Sequence, residues 1–168
     1  MKYEFTDKTK TVNGVTVRQI KRISDGLVGG WIESEKNLDQ DGTCFVYNNA
    51  SVFGNARVFG NARVYNNASV YDNAKVYGNA WVSGNALIHG NARVYNNASV
   101  YDNAKVYGNA RVYGNATIFD DAVVSGDASV SGDAVVSGDA WVYDNAMISG
   151  NAKVSDNAVV SGNEVITD

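Results

Sequence analysis

A branched aliphatic residue occurs at every sixth position of this chain, from Val46 to Ile166, and an alanine stands two places before nearly every one of them. The repeating unit is Ala-x-Val-(Tyr/Phe/Ser)-(Gly/Asn/Asp)-(Asn/Asp). A repeat of this kind dominates any interpretation because it sets the architecture. An amphipathic helix needs apolar spacings of three and four residues, which the chain does not sustain. The period of six therefore favours short strands.

The pattern inside each unit has a period of two. Alanine and valine share one face of a short strand, while x and the aromatic residue share the other. The last two positions hold Gly, Asn or Asp, which tolerate positive φ angles and form corners. Strands of successive turns then stack in parallel about 4.8 Å apart. The sequence therefore predicts an all-β parallel solenoid with an interior of valine and alanine.

The run VYGNARVYGNATIFDDAVVSGDA resembles the hexapeptide repeat of left-handed parallel β-helix proteins. This resemblance covers residues 45–168 and implies a triangular, left-handed coil of three hexapeptides, roughly 18 residues, against the usual handedness of crossovers. It implies about seven coils. The segment GGWIESEKNL, residues 29–38, resembles the leading segment of uncharacterised, acyltransferase-like bacterial and phage members of this group.

A stretch of 21 residues, GNARVYNNASVYDNAKVYGNA, occurs at residues 60–80 and again, unchanged, at residues 90–110. The separation of thirty residues is a multiple of six but not of eighteen. With three hexapeptides per coil, the two copies lie on different faces. The repeated units are therefore scaffold, and we look for function where the faces differ.

Residues 1–44 lack the repeat and are predicted to form an N-terminal cap before the repeat domain of residues 45–168. The sequence Val12-Asn13-Gly14-Val15 favours a tight hairpin, because Asn-Gly suits the turns that match strand twist. Residues 27–32 indicate an irregular first strand, and residues 34–42 a polar loop. We expect Trp31 to pack over the first coil.

Stacking by eighteen residues aligns cations and aromatic rings on one face, and these are the candidate ligand-binding residues. The cations are Arg57, Lys75, Arg93 and Arg111, and the rings beside them are Phe59, Tyr77, Tyr95 and Tyr113. One interpretation is a ladder in which each cation packs against neighbouring rings. The other is a flat binding strip for an anionic or planar ligand or an acidic protein, since arginine binds phosphate and carboxylate and rings can stack.

A different face carries an outward column that contains apolar residues. Val123, Trp141 and Val159 follow one another on three coils, and Leu87 lies earlier in the same column. A contiguous apolar strip on an outer face is typical of a partner interface. We therefore predict a homo-oligomer, with an inert β-branched ladder as the alternative.

The chain has a single histidine, His89, at a position where its neighbours have tyrosine. The enzymes of the resembled group imply trimeric acyltransferases with coenzyme A bound between solenoids and a histidine base, a role that His89 would take with acetyl-coenzyme A as donor. However, the place after the aliphatic residue holds Tyr, Phe or Ser, where those enzymes often have glycine or an acidic residue. We therefore expect a non-catalytic structural or binding module without a cofactor, and keep the acyltransferase as the alternative.

Charge is divided unevenly along the chain. Residues 45–118 carry six basic and two acidic residues, whereas residues 119–168 carry one basic and nine acidic residues. The net charge of −4 argues against duplex nucleic acid as a partner. Asp121, Asp127, Asp133 and Asp139 occupy successive corners and cannot converge on one ion, so no metal site is expected. No apolar run long enough to cross a membrane is present, and the single cysteine suits the cytoplasm.

Overall fold

The computed structural model describes residues 1–168 and is almost entirely β-structure. Three longer strands come first, β1 (Tyr3–Val12), β2 (Val15–Arg22) and β3 (Val28–Ile32), followed by a short 3-10 helix (Glu35–Asn37). The remaining strands have two residues each: β4 (Phe45–Val46), β5 (Ser51–Val52), β6 (Arg57–Val58), β7 (Arg63–Val64), β8 (Ser69–Val70), β9 (Lys75–Val76), β10 (Trp81–Val82), β11 (Leu87–Ile88), β12 (Arg93–Val94), β13 (Ser99–Val100), β14 (Lys105–Val106), β15 (Arg111–Val112), β16 (Thr117–Ile118), β17 (Val123–Val124), β18 (Ser129–Val130), β19 (Val135–Val136), β20 (Trp141–Val142), β21 (Met147–Ile148), β22 (Lys153–Val154), β23 (Val159–Val160) and β24 (Val165–Ile166).

These strands form three sheets, which are the three faces of a solenoid. The first face runs from β3 through β5, β8, β11, β14, β17 and β20 to β23, the second from β6 to β24, and the third from β4 to β22. Within the solenoid all neighbouring strands are parallel, as in the pairing of Arg93 with Arg111 and of Val94 with Val112. The predicted parallel β-solenoid is confirmed, and so is the spacing of eighteen residues between stacked positions. The left-handed winding stays a prediction.

The interior consists of the inward alanine and branched aliphatic side chains. Ala92 and Val94, for example, are fully buried, and they belong to a single core cluster of 44 residues. Each coil closes its backbone hydrogen bonds against the next, as when Arg93 N donates to Ala110 O at 2.9 Å. Burial of apolar surface and backbone hydrogen bonds between coils therefore stabilise the rod together.

The corners follow the predicted chemistry. Asp72 and Gly84 both have positive φ angles, of 58° and 70°. Each corner closes with a bond like that from Ala74 N to Tyr71 O, at 3.3 Å. The amides of successive corners form ladders, in which a side-chain nitrogen donates to the side-chain oxygen one coil further on. The predicted ladder at Asn61, Asn79 and Asn97 is confirmed, with distances of 3.1 Å.

The N-terminal hairpin is also confirmed. Its turn residues Asn13 and Gly14 have φ angles of 50° and 79°, and β1 pairs antiparallel with β2. Strand β2 then pairs antiparallel with β3, so that the hairpin extends the first face. Strand β3 in turn pairs parallel with β5. The first face therefore has eight parallel strands, and the solenoid has about eight turns, one more than the repeat alone predicts.

The prediction that Trp31 packs over the first coil is wrong. Trp31 pairs with Ser51 in an outward column, and the Lys10 Nζ atom lies 4.7 Å from the centroid of its ring. Buried side chains of Tyr3, Ile20 and Phe45 join the N-terminal end of the core instead. The hairpin adds to the edge of the first face, and this placement leaves Trp31 on the outside.

Candidate functional site

The second face brings the four predicted cations together in one column. Arg57 pairs with Lys75, Lys75 with Arg93, and Arg93 with Arg111, so one positive charge lies on each of four successive coils. The three ion pairs of the chain all lie elsewhere, and no carboxylate is within 4.0 Å of any of these cations. The column therefore presents uncompensated positive charge to solvent.

The four predicted rings form a continuous stack beside this column. Successive centroids from Phe59 to Tyr113 are 4.7, 4.9 and 5.0 Å apart, and the planes deviate by at most 6°. Each inner ring therefore has both faces covered by its neighbours. A planar ligand can reach only their edges, and only the two end rings, Phe59 and Tyr113, have a neighbouring coil without a ring. The stack therefore favours an anionic ligand over a planar one.

The interpretation as a simple cation–ring ladder holds at one position. The guanidinium carbon of Arg57 lies 5.5 Å from the centroid of Phe59, and the other three cations make no such contact. Lys75, Arg93 and Arg111 therefore have neither a carboxylate nor a ring as partner. Burial in the stack raises the pKa of Tyr95, so its hydroxyl stays protonated and can donate a hydrogen bond to an anion.

Clefts lie at both ends of the cationic strip, which consists of the column from Arg57 to Arg111 and the stack of rings beside it. One of about 460 Å³ separates the 3-10 helix from Arg57, and another of about 360 Å³ lies below Arg111 and Tyr113, beside Ser129. The second cleft exists because the outward side chains change from Arg and Tyr to serine at the next coil. Asp127 lines it as well, so negative charge marks that end of the strip.

The apolar column of the first face is less continuous than its sequence indicates. Val123 is only 7% exposed, whereas Trp141 and Val159 are 51% and 60% exposed. Leu87 is half-buried and is separated from Val123 by Lys105, which pairs with both. The exposed part of the predicted interface therefore consists of Trp141 and Val159.

His89 is part of a stack of rings on the first face. Its imidazole lies between Tyr71 and Tyr107, with centroids 4.8 and 5.0 Å away. Burial lowers the pKa of His89, although Asp72, whose carboxylate oxygen is 3.7 Å from Nδ1, acts in the opposite direction. None of the five cavities of the chain is lined by His89. A general base needs access to a substrate in a cavity, so the acyltransferase alternative would need a site formed between subunits.

A further cavity lies on the third face. No residue of this cavity is among the site residues predicted from the sequence. The cavity has a volume of about 290 Å³ and is lined by Trp81, Ser83, Ser99 and Tyr101. The signal in the sequence is the serine at position 83, which interrupts a column of aromatic residues.

The chain brings no three His, Cys, Asp or Glu residues close enough to hold a metal ion, and it has no helix long and apolar enough to cross a membrane.

The chain matches the model of a known repeat family. The family model described as the YdcK beta solenoid repeat matches residues 56–72, 74–90, 104–118 and 110–126. No curated protein matches the chain. The matched segments include three of the four strip cations and lie wholly within the stacked coils. The resemblance to acyltransferase-like proteins stays a prediction, whereas the fold and the matched repeat together identify this chain as a β-solenoid protein.

Proposed function

We propose that this protein is a non-catalytic binding module whose second face binds an extended polyanion. The observation that carries the proposal is the column of Arg57, Lys75, Arg93 and Arg111, aligned in register and without acidic partners. Like charges on adjacent strands destabilise a sheet. A column of this kind is therefore costly to the free protein, and a bound anion would relieve that cost.

The geometry also supports an extended ligand rather than a compact one. Adjacent cations follow the coil rise of about 4.8 Å, so the four charges span about 15 Å along the axis. The tyrosine hydroxyls run parallel to them at the edges of the stacked rings. A chain with carboxylate, sulfate or phosphate groups at a similar repeat could contact several coils at once, and guanidinium groups suit such oxyanions.

The test is binding of defined polyanions to a variant with both Arg93→Glu and Arg111→Glu. Suitable probes are polyglutamate, polyphosphate and a sulfated oligosaccharide, with affinity measured by fluorescence anisotropy at low and at physiological salt. We expect at least one probe to bind the native chain and to bind the variant at least about tenfold more weakly, because two of the four contacts become repulsive.

The chain offers a matched control in Arg63→Glu combined with Lys105→Glu. Both residues occupy the same place in the hexapeptide as the strip cations, but they lie on the third and first faces. The change in net charge is the same. Equal weakening by both pairs would mean a general charge effect and would refute the proposed strip, as would the absence of binding to every probe.

We make two further proposals, one on the oligomeric state and one on the cellular location. We propose a homo-oligomer formed through Trp141 and Val159, because both side chains are more than half exposed on one apolar column. Native mass spectrometry of the native chain and of Trp141→Glu tests it, since an oligomer through this face should dissociate in the variant.

The single cysteine, which is buried, supports a cytoplasmic location as part of the proposal.

A further inference from the structure

The third face carries a column of rings with a gap of one coil. Tyr47 stacks on Tyr65 with centroids 4.3 Å apart, and Tyr101 stacks on Phe119 at 5.2 Å. Ser83 occupies the position between these two pairs. On this face the stack is therefore open in its middle, whereas the corresponding stacks of the other two faces run through four coils.

Trp81 forms one wall of this gap. Its indole tilts toward Tyr65, with centroids 5.6 Å apart and 54° between the planes, and 54% of the residue is exposed. Trp81 pairs with Ser99 on the next coil, so a small residue lies beneath the indole. The two serines and the two aromatic residues alternate around a slot of about 290 Å³, with Tyr101 as the opposite wall.

The floor of the slot has free hydrogen-bonding groups. The hydroxyls of Ser51 and Thr117, at the same place in the hexapeptide as Ser99, donate to backbone oxygens of their own corners. The hydroxyls of Ser83 and Ser99 make no hydrogen bond within the chain. Each can both donate and accept, so the floor suits a ligand that carries hydroxyl groups.

The lining of the slot is uncharged, and charges of both signs lie beside it. None of its four lining residues is charged, and Arg63, which pairs with Trp81, adds one positive charge on the side of the indole. Burial raises the pKa of Tyr101, and the carboxylates of Asp102 and Asp120 add to this effect, which places negative charge next to that wall. The slot therefore differs from the cationic strip of the second face, and its ligand would be neutral.

We propose that this slot binds a neutral pyranose sugar residue. The flat C–H face of a pyranose ring would pack against the exposed indole of Trp81 and the edge of the slot at Tyr101, which removes apolar surface from water. Its hydroxyls would pair with those of Ser83 and Ser99. This site is independent of the cationic strip of the second face, so the sugar proposal and the polyanion proposal can fail separately.

The test uses soluble neutral disaccharides of glucose, galactose, mannose and N-acetylglucosamine, titrated into the full chain by calorimetry. Tryptophan fluorescence of a Trp31→Phe, Trp141→Phe variant follows the same titrations, since only Trp81 then reports. We expect at least one disaccharide to bind saturably and to shift the Trp81 emission. Trp81→Ala should weaken it by about tenfold or more.

A second variant keeps the test independent of any loss of folding. Ser83→Tyr inserts the residue that neighbouring coils carry at this position, so it should complete the stack while it fills the slot. Ser137→Tyr is the matched control on the same face, three coils away. Sugar binding should vanish in Ser83→Tyr and persist in Ser137→Tyr and in the Arg93→Glu, Arg111→Glu strip variant.

Three results would overturn the proposal. The first is the absence of saturable binding for all the disaccharides, and the second is binding that Ser83→Tyr leaves unchanged. The third is a slot that takes free indole or another aromatic compound in competition with, and more tightly than, every sugar. That outcome would show an aromatic site instead of a sugar site.

Discussion

The side-chain nitrogen of Asn115 donates to a carboxylate oxygen of Asp133 at 2.8 Å, and this bond ends a ladder of amides that begins at Asn61. Two further amide ladders run along the other two corners of the solenoid and end in the same way, at Asp121 and Asp127. Every amide in these ladders donates toward the C-terminus. A carboxylate has no proton to pass on, so all three ladders stop at one coil, where the acidic part of the chain begins.

Replacement of Asp133 by asparagine should extend the ladder. The new amide can accept from Asn115 and donate to the side-chain oxygen of Asn151, while part of the gain is offset because a charge-assisted bond becomes neutral. We expect the free energy of unfolding to rise by about 0.5 to 1 kcal/mol in urea titrations. Asp156→Asn is the control, since it removes the same charge from a corner outside these ladders. An equal rise in the control would attribute the effect to net charge alone.

The corner at Gly84 should not accept a side chain. A Cβ atom there would lie 2.7 Å from both the backbone nitrogen and the backbone oxygen of Asp102, and the φ angle is 70°. Gly54 has a similar φ angle of 67°, but the nearest atoms to its Cβ would be 3.2 Å away. Both Gly→Ala changes pay a penalty of about 1 kcal/mol for positive φ. Gly84→Ala should therefore unfold at clearly lower urea concentration than Gly54→Ala, and equal midpoints would contradict the close stacking of corners.

His89 should make stability depend on pH. Its pKa in the folded chain is lower than the ordinary value of 6.5, mainly because of burial between Tyr71 and Tyr107. Between this lowered pKa and 6.5 the unfolded chain therefore binds more protons than the folded chain, and the free energy of unfolding falls as pH decreases through 6.5. His89→Tyr restores the residue of its neighbours and should remove this component, as measured by urea titrations between pH 5.5 and 8. Parallel curves for the two chains would argue against a partly buried imidazole with a lowered pKa.

The stack of the second face should contribute measurably to stability. Tyr95 has a parallel ring on either side, at 4.9 and 5.0 Å, whereas Tyr143, at the same position of the repeat, stacks on no ring. Tyr95→Ser removes two ring pairs, each worth about 0.5 to 1.5 kcal/mol. We expect it to destabilise the chain by about 1 to 3 kcal/mol more than Tyr143→Ser, by chemical denaturation. Similar losses would show that the rings contribute only buried area.

Several features of the site could be predicted because they depend only on the repeat. Once eighteen residues make a coil, the alignment of Arg93 with Arg111 and of Tyr95 with Tyr113 follows by counting. The slot at Ser83 was not predicted from the sequence, because it depends on one small residue in a column of large ones. Counting also could not show that Val123 is buried beside an exposed Trp141, since that depends on how neighbouring side chains lean.

The sequence by itself determined the solenoid, because a strict period of six leaves the backbone one way to bury valine and alanine while turning at every Asn or Gly. It also determined the hairpin at Asn13 and Gly14, whose turn is local. Only the tertiary structure decided where Trp31 lies and which ring faces are free. These depend on contacts between residues eighteen or more positions apart and on an N-terminal segment outside the repeat, where no periodicity fixes the register.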